Sequence, residues 1–255
     1  MSEGKRDSNI DMQAVILAGG AGKRMGELTK DKQKCMLEVE GIPIMEHILL
    51  GLKNIFGRKV EVIIATGYKG EEIKQRFGND FDGIKLTYVH DDKPLETKGR
   101  MLLAKDLIVK PFFFLAGDIL TPDPVLEQIA TRFEQEQSRE KSKVVGVLSG
   151  AKDHTPAPTH AVLSVCEGYL KNISFPPPSH ISDKDLRETH RAIFSLDFLE
   201  MAQRSKEKFI SRVIHDVVTN TDKKFGVEEF DGEWGHYVNP DDLKKYQSLP
   251  FLNKK

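Results

Sequence analysis

The sequence has few of the features that mark several large classes of protein. Its 255 residues include only two cysteines, Cys35 and Cys166, which are too few for a disulfide framework and lack metal-ligand spacing. No run approaches the roughly 20 apolar residues that a membrane-spanning helix needs. The start of the chain is polar and lacks the apolar core of a signal peptide. These absences predict a cytoplasmic protein with reduced thiols.

The sequence also lacks an excess of charge of either sign. It has 38 basic and 39 acidic residues and a formal net charge of −1. This balance gives no broad electrostatic surface for nucleic acid or an anionic membrane, so neither is an expected partner. Any anionic ligand must therefore be held by a local group of residues.

Apolar runs alternate with helical patterns through the first half of the chain. Strands are predicted at 13–17, 60–65, 84–89 and 112–116. Helices are predicted from Pro43, over 69–77, over 98–106, and after Thr121–Pro122 as N-cap and first-turn proline. Strands alternating with helices in this way predict right-handed βαβ units and a mostly parallel sheet flanked by helices.

The second half changes character. A hairpin of 161–165 and 169–173, a short strand at 192–196 and an amphipathic helix over 209–220 predict a small antiparallel accessory region. Two further strands are expected before a helix beginning near Pro240, where Asn239, Asp241 and Asp242 supply the cap and first-turn acids. The economical interpretation is one α/β domain.

The most informative segment is Leu17-Ala-Gly-Gly-Ala-Gly-Lys-Arg-Met25. Its three glycines follow a predicted buried strand, so the backbone can approach a ligand and its N–H groups can cradle phosphate oxygens. Lys23 and Arg24 add cations beside them, and Lys34 follows ten residues after Arg24. The alternative is a tight strand-to-helix turn. The glycine spacing is that of neither a Walker loop nor a dinucleotide-binding GxGxxG motif.

A single acidic residue, Asp118, ends the fourth predicted strand. It could cap the following turn, but the carboxyl end of a parallel strand is where open α/β sheets bind ligands. We therefore favour a metal-binding role for it.

Two segments, Ala14–Arg24 and Lys34–Ile44, together resemble the LAGGxGxRL…PKPLLPVxGxPI signature of sugar-1-phosphate nucleotidyltransferases. The resemblance implies a Rossmann-like nucleotidyltransferase fold over 13–250, with a nucleotide-binding half at 13–150 and a sugar-phosphate-binding half at 151–250. Residues 1–12 would be a disordered leader. Gln33 and Cys35 replace the prolines that flank the lysine of this signature.

The resemblance also implies a reaction: a nucleoside triphosphate and a sugar 1-phosphate give an NDP-sugar and pyrophosphate, with Mg²⁺ as cofactor. Arg24 would steady the pyrophosphate, Lys34 would contact the α-phosphate and Asp118 would bind Mg²⁺. The nucleotide would be held by Leu17, Ala18, Gly19, Gly20, Gly22 and Lys23. Gly99, in the run 96–101, would lie against the nucleobase, although an ordinary helix N-terminus is an equal interpretation. A homo-oligomer is common in fold relatives, but the sequence shows no interface.

The resemblance breaks at two places. Phe175-Pro-Pro177 stands where a Glu-Lys-Pro motif normally supplies a cation, and His236 stands where a second metal-binding Asp is usual. His236 could be a metal ligand, a sugar contact or a half-buried strand residue, and Asp231 and Glu233 are nearby acids that could substitute. The other histidines, at positions 154, 160, 180 and 190, are expected to be polar loop residues.

Two interpretations of function stay open from the sequence. The leading one is an active nucleotidyltransferase. The other is a non-catalytic regulatory subunit that binds a nucleotide or nucleotide sugar, which the losses at Phe175–Pro177 and His236 would favour. A dehydrogenase-like dinucleotide binder fits poorly.

Overall fold

The computed structural model of the protein describes residues 12–152, 160–178 and 182–252. Of the leader predicted for 1–12, only Met12 is among them, and it is buried. The predicted loop histidines at 154 and 180 lie outside the described residues.

Strands and helices alternate as the sequence predicts for the first half of the chain. The strands are β1 (Gln13–Ala18), β2 (Glu38–Val39), β3 (Ile42–Pro43), β4 (Glu61–Thr66), β5 (Asp80–Phe81), β6 (Ile84–His90), β7 (Phe112–Ala116), β8 (Ile119–Leu120), β9 (Val144–Ala151), β10 (Val162–Cys166), β11 (Tyr169–Ser174), β12 (Leu186–Phe194), β13 (Lys224–Phe230) and β14 (Gly235–His236). The helices are α1 (Ile44–Phe56), α2 (Gly70–Phe77), α3 (Thr97–Leu103), α4 (Asp123–Gln137), α5 (Leu196–Arg204), α6 (Ile210–Asn220) and α7 (Pro240–Lys245). Short 3₁₀ segments cover Lys23–Thr29, Lys34–Met36 and Gly57–Lys59.

One ten-stranded sheet runs through both halves, in the order β10-β11-β13-β9-β12-β7-β1-β4-β6-β5. Strands β7, β1, β4 and β6 are parallel, and β12 pairs antiparallel with β7 and β9. The order reverses at β1, because β4 lies on one side of it and β7 on the other. Open α/β sheets bind ligands at such a switch point, beyond the carboxyl ends of the strands.

Apolar side chains are buried on both faces of the sheet. In β1, Ala14 and Ile16 join the cluster under α1 and α4, whereas Val15 joins the cluster under α5 and α6. Burial on both sides explains why β1 and β7 read as continuous apolar runs in the sequence. None of the helices in the described part of the chain is long and apolar enough to span a membrane.

Two predictions of local structure are corrected. α4 begins at Asp123 with Pro122 as its N-cap, so Thr121 is not the cap. The strand predicted at 192–196 instead runs from Leu186 to Phe194, and α5 follows it. The Ser195 hydroxyl caps α5 by accepting from the Phe198 N–H, a signal that the sequence carried. The cap of α7 is as predicted: Asn239 and Asp242 form a capping box.

Candidate active site

The carboxyl ends of β1 and β7 open into a cavity of about 210 Å³. Leu17 pairs with Ala116 across these strands, and the Gly117 N–H donates to the Leu17 carbonyl at 3.0 Å. This contact places the glycine-rich loop beside Asp118. The predicted site residues that line the cavity are Leu17, Ala18, Gly20, Arg24, Lys34, Asp118 and His236.

Two glycines of the loop are required by its geometry. Gly22 has φ 61°, a left-handed conformation that favours glycine. A Cβ atom at Gly19 would lie only 2.6 Å from Arg100 Nε and 3.1 Å from Asp91 Oδ2. Gly19 therefore lets the loop pack directly against an ion pair, which shapes the floor of the site.

The central feature is an ion pair between the Lys34 ammonium and the Asp118 carboxylate. The Lys34 side chain is only 11% exposed and that of Asp118 28%, so the carboxylate faces the cavity. Burial alone would raise the pKa of Asp118, but the Lys34 ammonium and the neighbouring His236 together outweigh burial and hold this pKa well below its usual range. The site thus presents a permanently ionised carboxylate next to a cation.

Gln33 braces the turn that carries Lys34. Its side-chain amide donates to the Ala18 carbonyl at 2.7 Å and its side-chain oxygen accepts from the Cys35 N–H at 2.5 Å. Its own N–H donates to the Glu72 carboxylate at 2.7 Å. These bonds fix the backbone at the position where the family signature has a proline, so Lys34 is held in place without that proline.

Arg191 supports the loop that carries Asp118. Its guanidinium is buried and donates to the carbonyls of Ala116 and Ile119 on either side of that residue. The Tyr237 N–H donates to the Asp118 carbonyl at 3.0 Å. Arg191 was not predicted from the sequence. A charged residue interrupts the apolar pattern from which the full length of β12 could have been recognised.

The two predicted cations of the loop, Arg24 and Lys23, and the predicted nucleobase contact, Gly99, differ in whether they line the cavity. Arg24 is exposed, lines this cavity, and has no ion-pair partner within the described ranges. Lys23 is exposed in the adjacent 3₁₀ segment, and it lines neither this cavity nor its neighbours among the described pockets. Gly99 of α3 lies next to Leu95, which precedes the helix, while Thr97 and Arg100 of the same helix face the cavity.

An ion pair under the glycine loop was also missed from the sequence. Arg100 Nε lies 2.9 Å from Asp91 Oδ2, and both side chains are nearly buried. Arg100 lines the cavity already described and also a shallow recess of about 770 Å³ bordered by Gly19, Gly67 and Tyr68. Nothing in the sequence near Asp91 marks it, because its partner is set by the packing of α3 beneath the loop.

A histidine cluster adjoins Asp118. His160 lies in the bend before β10, as a loop residue, but it is buried, whereas the prediction that His190 is a loop residue is wrong because it lies in β12. His236 Nε2 lies 3.5 Å from Asp118 Oδ2, and His236 Nδ1 shares a hydrogen bond of 2.6 Å with His160 Nε2. Buried His160 also packs edge-on against Trp234. Burial lowers the pKa of His160 to about 2 and lowers that of His236, so both imidazoles are neutral at pH 7.

His190 lies at the other side of the same cavity, in a bulge of β12. Its φ of 52° is rare for a residue other than glycine. Its N–H donates to Glu188 Oε1 at 2.6 Å, and its Nδ1 lies 3.0 Å from Glu188 Oε2. Burial would lower the pKa of His190, but the Glu188 carboxylate outweighs burial and raises it.

The donor set fits Mg²⁺ in one respect. Mg²⁺ is usually held by one or two carboxylates together with substrate phosphates and water, and Asp118 supplies one such carboxylate. His236 is a poor ligand for this hard cation. No group of three or more His, Cys, Asp or Glu side chains that could hold a metal by themselves occurs among the described residues.

Comparison with known proteins places this site in a family. A family model described as "Nucleotidyl transferase" matches residues 13–157, more than half of the chain and the part that carries the glycine loop, Lys34 and Asp118. The chain belongs to the nucleotidyl transferase family. The resemblance found in the sequence is thereby confirmed.

Relatives and a solved structure extend the likeness. The chain is 37% identical over 107 residues to a UTP–glucose-1-phosphate uridylyltransferase of Haloferax volcanii, covering 42% of this chain and 43% of that protein. It is 30% identical over 177 residues to the mannose-1-phosphate guanylyltransferase catalytic subunit beta of Drosophila pseudoobscura pseudoobscura, covering 68% and 45%. The matches thus span less than half the length of these relatives.

The fold is shared over nearly the whole chain. A UDP-glucose pyrophosphorylase solved with UDP-glucose superposes with a TM-score of 0.78 at 16% identity, covering 94% of this chain and 98% of that one. The α/β nucleotidyltransferase fold expected from the sequence is therefore confirmed, including the mixed sheet. In the second half, β10 pairs antiparallel with β11 and β12 with β9, whereas β13 pairs parallel with β9.

Proposed function

We propose that this protein transfers a nucleoside monophosphate from a nucleoside triphosphate to a sugar 1-phosphate or a similar phosphorylated acceptor, releasing pyrophosphate. The observation that carries the proposal is the Lys34–Asp118 ion pair beneath the glycine loop, at the switch point of the sheet. The activities named for the relatives from Haloferax and Drosophila agree with it.

The transfer depends mainly on how the protein positions the reacting phosphates and on the charges that it places around them. An oxygen of the acceptor phosphate forms a bond to the α-phosphorus, and the bond from that phosphorus to the bridging oxygen breaks, so pyrophosphate leaves with the electron pair. Loop N–H groups would hold the phosphates, Lys34 would face the α-phosphate and Arg24 the departing pyrophosphate. When bound, Mg²⁺ would spread the negative charge, with Asp118 as its protein ligand.

The regulatory alternative is less well supported. A binding module has no need of an ionised carboxylate paired with a buried lysine at the phosphate end of the cavity. Here the pair is also braced by Gln33 and Arg191. Holding a charged pair rigidly in place is a requirement of transition-state stabilisation rather than of ligand capture.

The test is pyrophosphate release with Mg²⁺ across the common nucleoside triphosphates and a panel of acceptor phosphates. We expect release with at least one pair, and a fall of at least about a hundredfold in Asp118→Asn because a charge at the reacting centre is lost. Asp222→Asn, an exposed acid paired with Lys143 far along the chain, is the matched control and should keep full activity. Nucleotide binding without any release would instead support the regulatory alternative.

A further inference from the structure

A second cavity, of about 300 Å³, adjoins the first. The two share Arg24, Thr97 and His190 at their junction. Beyond that junction the walls come from β7, β9, β11, β12 and the start of α6 and are mainly aromatic or aliphatic: Phe114, Leu148, Ile173, Phe194, Phe209 and Ile210.

The polar side chains of this second cavity are largely engaged by the protein itself. One carboxylate oxygen of Glu188 accepts from the His190 N–H, and the other lies 3.0 Å from the His190 ring nitrogen Nδ1. The Thr97 hydroxyl oxygen accepts from the Ile210 N–H at 3.0 Å. Ser211 adds one further hydroxyl. A sugar ring carries several hydroxyl groups, and each needs a partner when it leaves water.

Aromatic rings form both the inner wall and the opening. Phe114 and Phe194 are fully buried, with ring centroids 5.8 Å apart. Phe175 and Phe209 are half-buried, with centroids 5.6 Å apart, and so form the edge that solvent reaches. Such surfaces gain free energy by covering an apolar group and lose it by covering a hydroxyl.

We propose that the acceptor is a phosphate monoester whose phosphate lies at the Arg24–His190 junction and whose compact apolar group fills this second cavity. The inference rests on the proposed function and names its acceptor class. The step stays balanced: the acceptor phosphate oxygen bonds to the α-phosphorus as pyrophosphate departs with its electron pair. A fully hydroxylated hexose 1-phosphate is disfavoured because it would strand its hydroxyls.

The first experiment compares two probes by calorimetry on the protein saturated with a nucleoside triphosphate and free of divalent cation. Cyclohexyl phosphate and glucose 1-phosphate both join a six-membered ring to a phosphate and differ in their hydroxyls. We expect cyclohexyl phosphate to bind about tenfold more tightly. Equal or tighter binding of glucose 1-phosphate overturns the inference. Because binding is measured without transfer, a lack of pyrophosphate release would count against the proposed function alone.

A pair of variants tests whether the cavity is the site. Phe209 is the N-cap residue of α6, so Phe209→Asn removes the ring while supplying a favoured cap, and Phe209→Leu keeps an apolar side chain. We expect the dissociation constant of cyclohexyl phosphate to rise about tenfold in Phe209→Asn and to stay within about threefold in Phe209→Leu. The nucleotide should bind both variants like the wild type. An unchanged constant in Phe209→Asn, or equal losses in both, would contradict the proposal.

Discussion

The two neighbouring cavities are built from opposite kinds of chemistry. The first is lined by backbone at the ends of β1 and β7 and by charged groups, among them Arg24, Lys34, Asp118 and Arg100. The second is lined by phenylalanine and aliphatic side chains from strands and helices on the other side of β7. The charges assigned to phosphate thus lie in the first cavity or at its junction with the second.

The difference separates what the reaction needs from what the acceptor needs. Phosphoryl transfer requires cations, N–H groups and an ionised carboxylate whatever the acceptor is, and these lie in the half that matches the family. Much of the acceptor-side wall comes from β11, β12 and the start of α6, beyond residue 157, where that match ends, while Phe114 and Leu148 come from within the matched range.

The contrast between the two cavities predicts that phosphate binding and transfer depend on the charged side chains of the first cavity. Arg24→Ala removes a guanidinium that lines both cavities and that is unpaired within the described ranges, so we expect kcat/KM for pyrophosphate release to fall by about a hundredfold. Lys23→Ala removes the neighbouring exposed cation, which lines neither cavity, and is the matched control.

Steady-state kinetics of the two alanine variants decide between the cations. Near-wild-type activity in Arg24→Ala would contradict the assignment of the charged side. A larger loss in Lys23→Ala would assign the triphosphate contact to Lys23, which the sequence analysis placed among the nucleotide-binding residues.

Sequence reasoning located the charged side because its residues are nearly contiguous. The glycines, Arg24 and Lys34 lie within eighteen residues of Leu17, and Asp118 directly follows an apolar strand, so spacing alone points to them. The α7 cap was equally predictable, because Asn239 and Asp242 bond only to their own helix. Local chemistry is what a single sequence records well.

The apolar side and the histidine cluster were out of reach for the opposite reason. His160, His190 and His236 meet only because β12 inserts between β7 and β9 and β14 pairs with β8. Charged residues within β12, such as Arg187 and Arg191, made that segment read as a loop. Arg191 is tolerated there because its guanidinium donates to the carbonyls of Ala116 and Ile119. These partners lie far from it in the sequence, so the sequence alone does not reveal them.

The junction offers a sharper test of the boundary between the two sides. His190 lines both cavities, and Glu188 favours its charged form. His190→Asn removes this titratable ring but suits the left-handed backbone at this position, so the β12 bulge should persist. We expect KM for the acceptor to rise about tenfold while the dissociation constant of the nucleotide is unchanged. A matching loss of nucleotide affinity would show that the junction belongs to the nucleotide side.

The smallest expected effect concerns stability and comes from His160, which is buried between the two sides. Its pKa is lowered to about 2 in the folded protein, against an ordinary value of 6.5. Below pH 6.5 His160 therefore binds a proton in the unfolded chain but not in the folded one, and the free energy of unfolding decreases as the pH falls. For this residue the loss between pH 7 and 5.5 is about 1 kcal/mol.

Urea unfolding of wild type and His160→Asn at these two pH values measures that term. The variant is expected to be less stable at pH 7, because the bond to His236 is altered, yet to lose about 1 kcal/mol less on acidification. His47, whose pKa is also lowered, bonds to the Val39 carbonyl away from this cluster and cancels in the difference. His236 and His190 contact His160, so the measured difference belongs to the coupled cluster and not to His160 alone. Equal dependence of the unfolding free energy on pH in the two proteins would mean that His160 binds protons in the folded state. The contrast between a charged and an apolar cavity would then not extend to the histidine cluster.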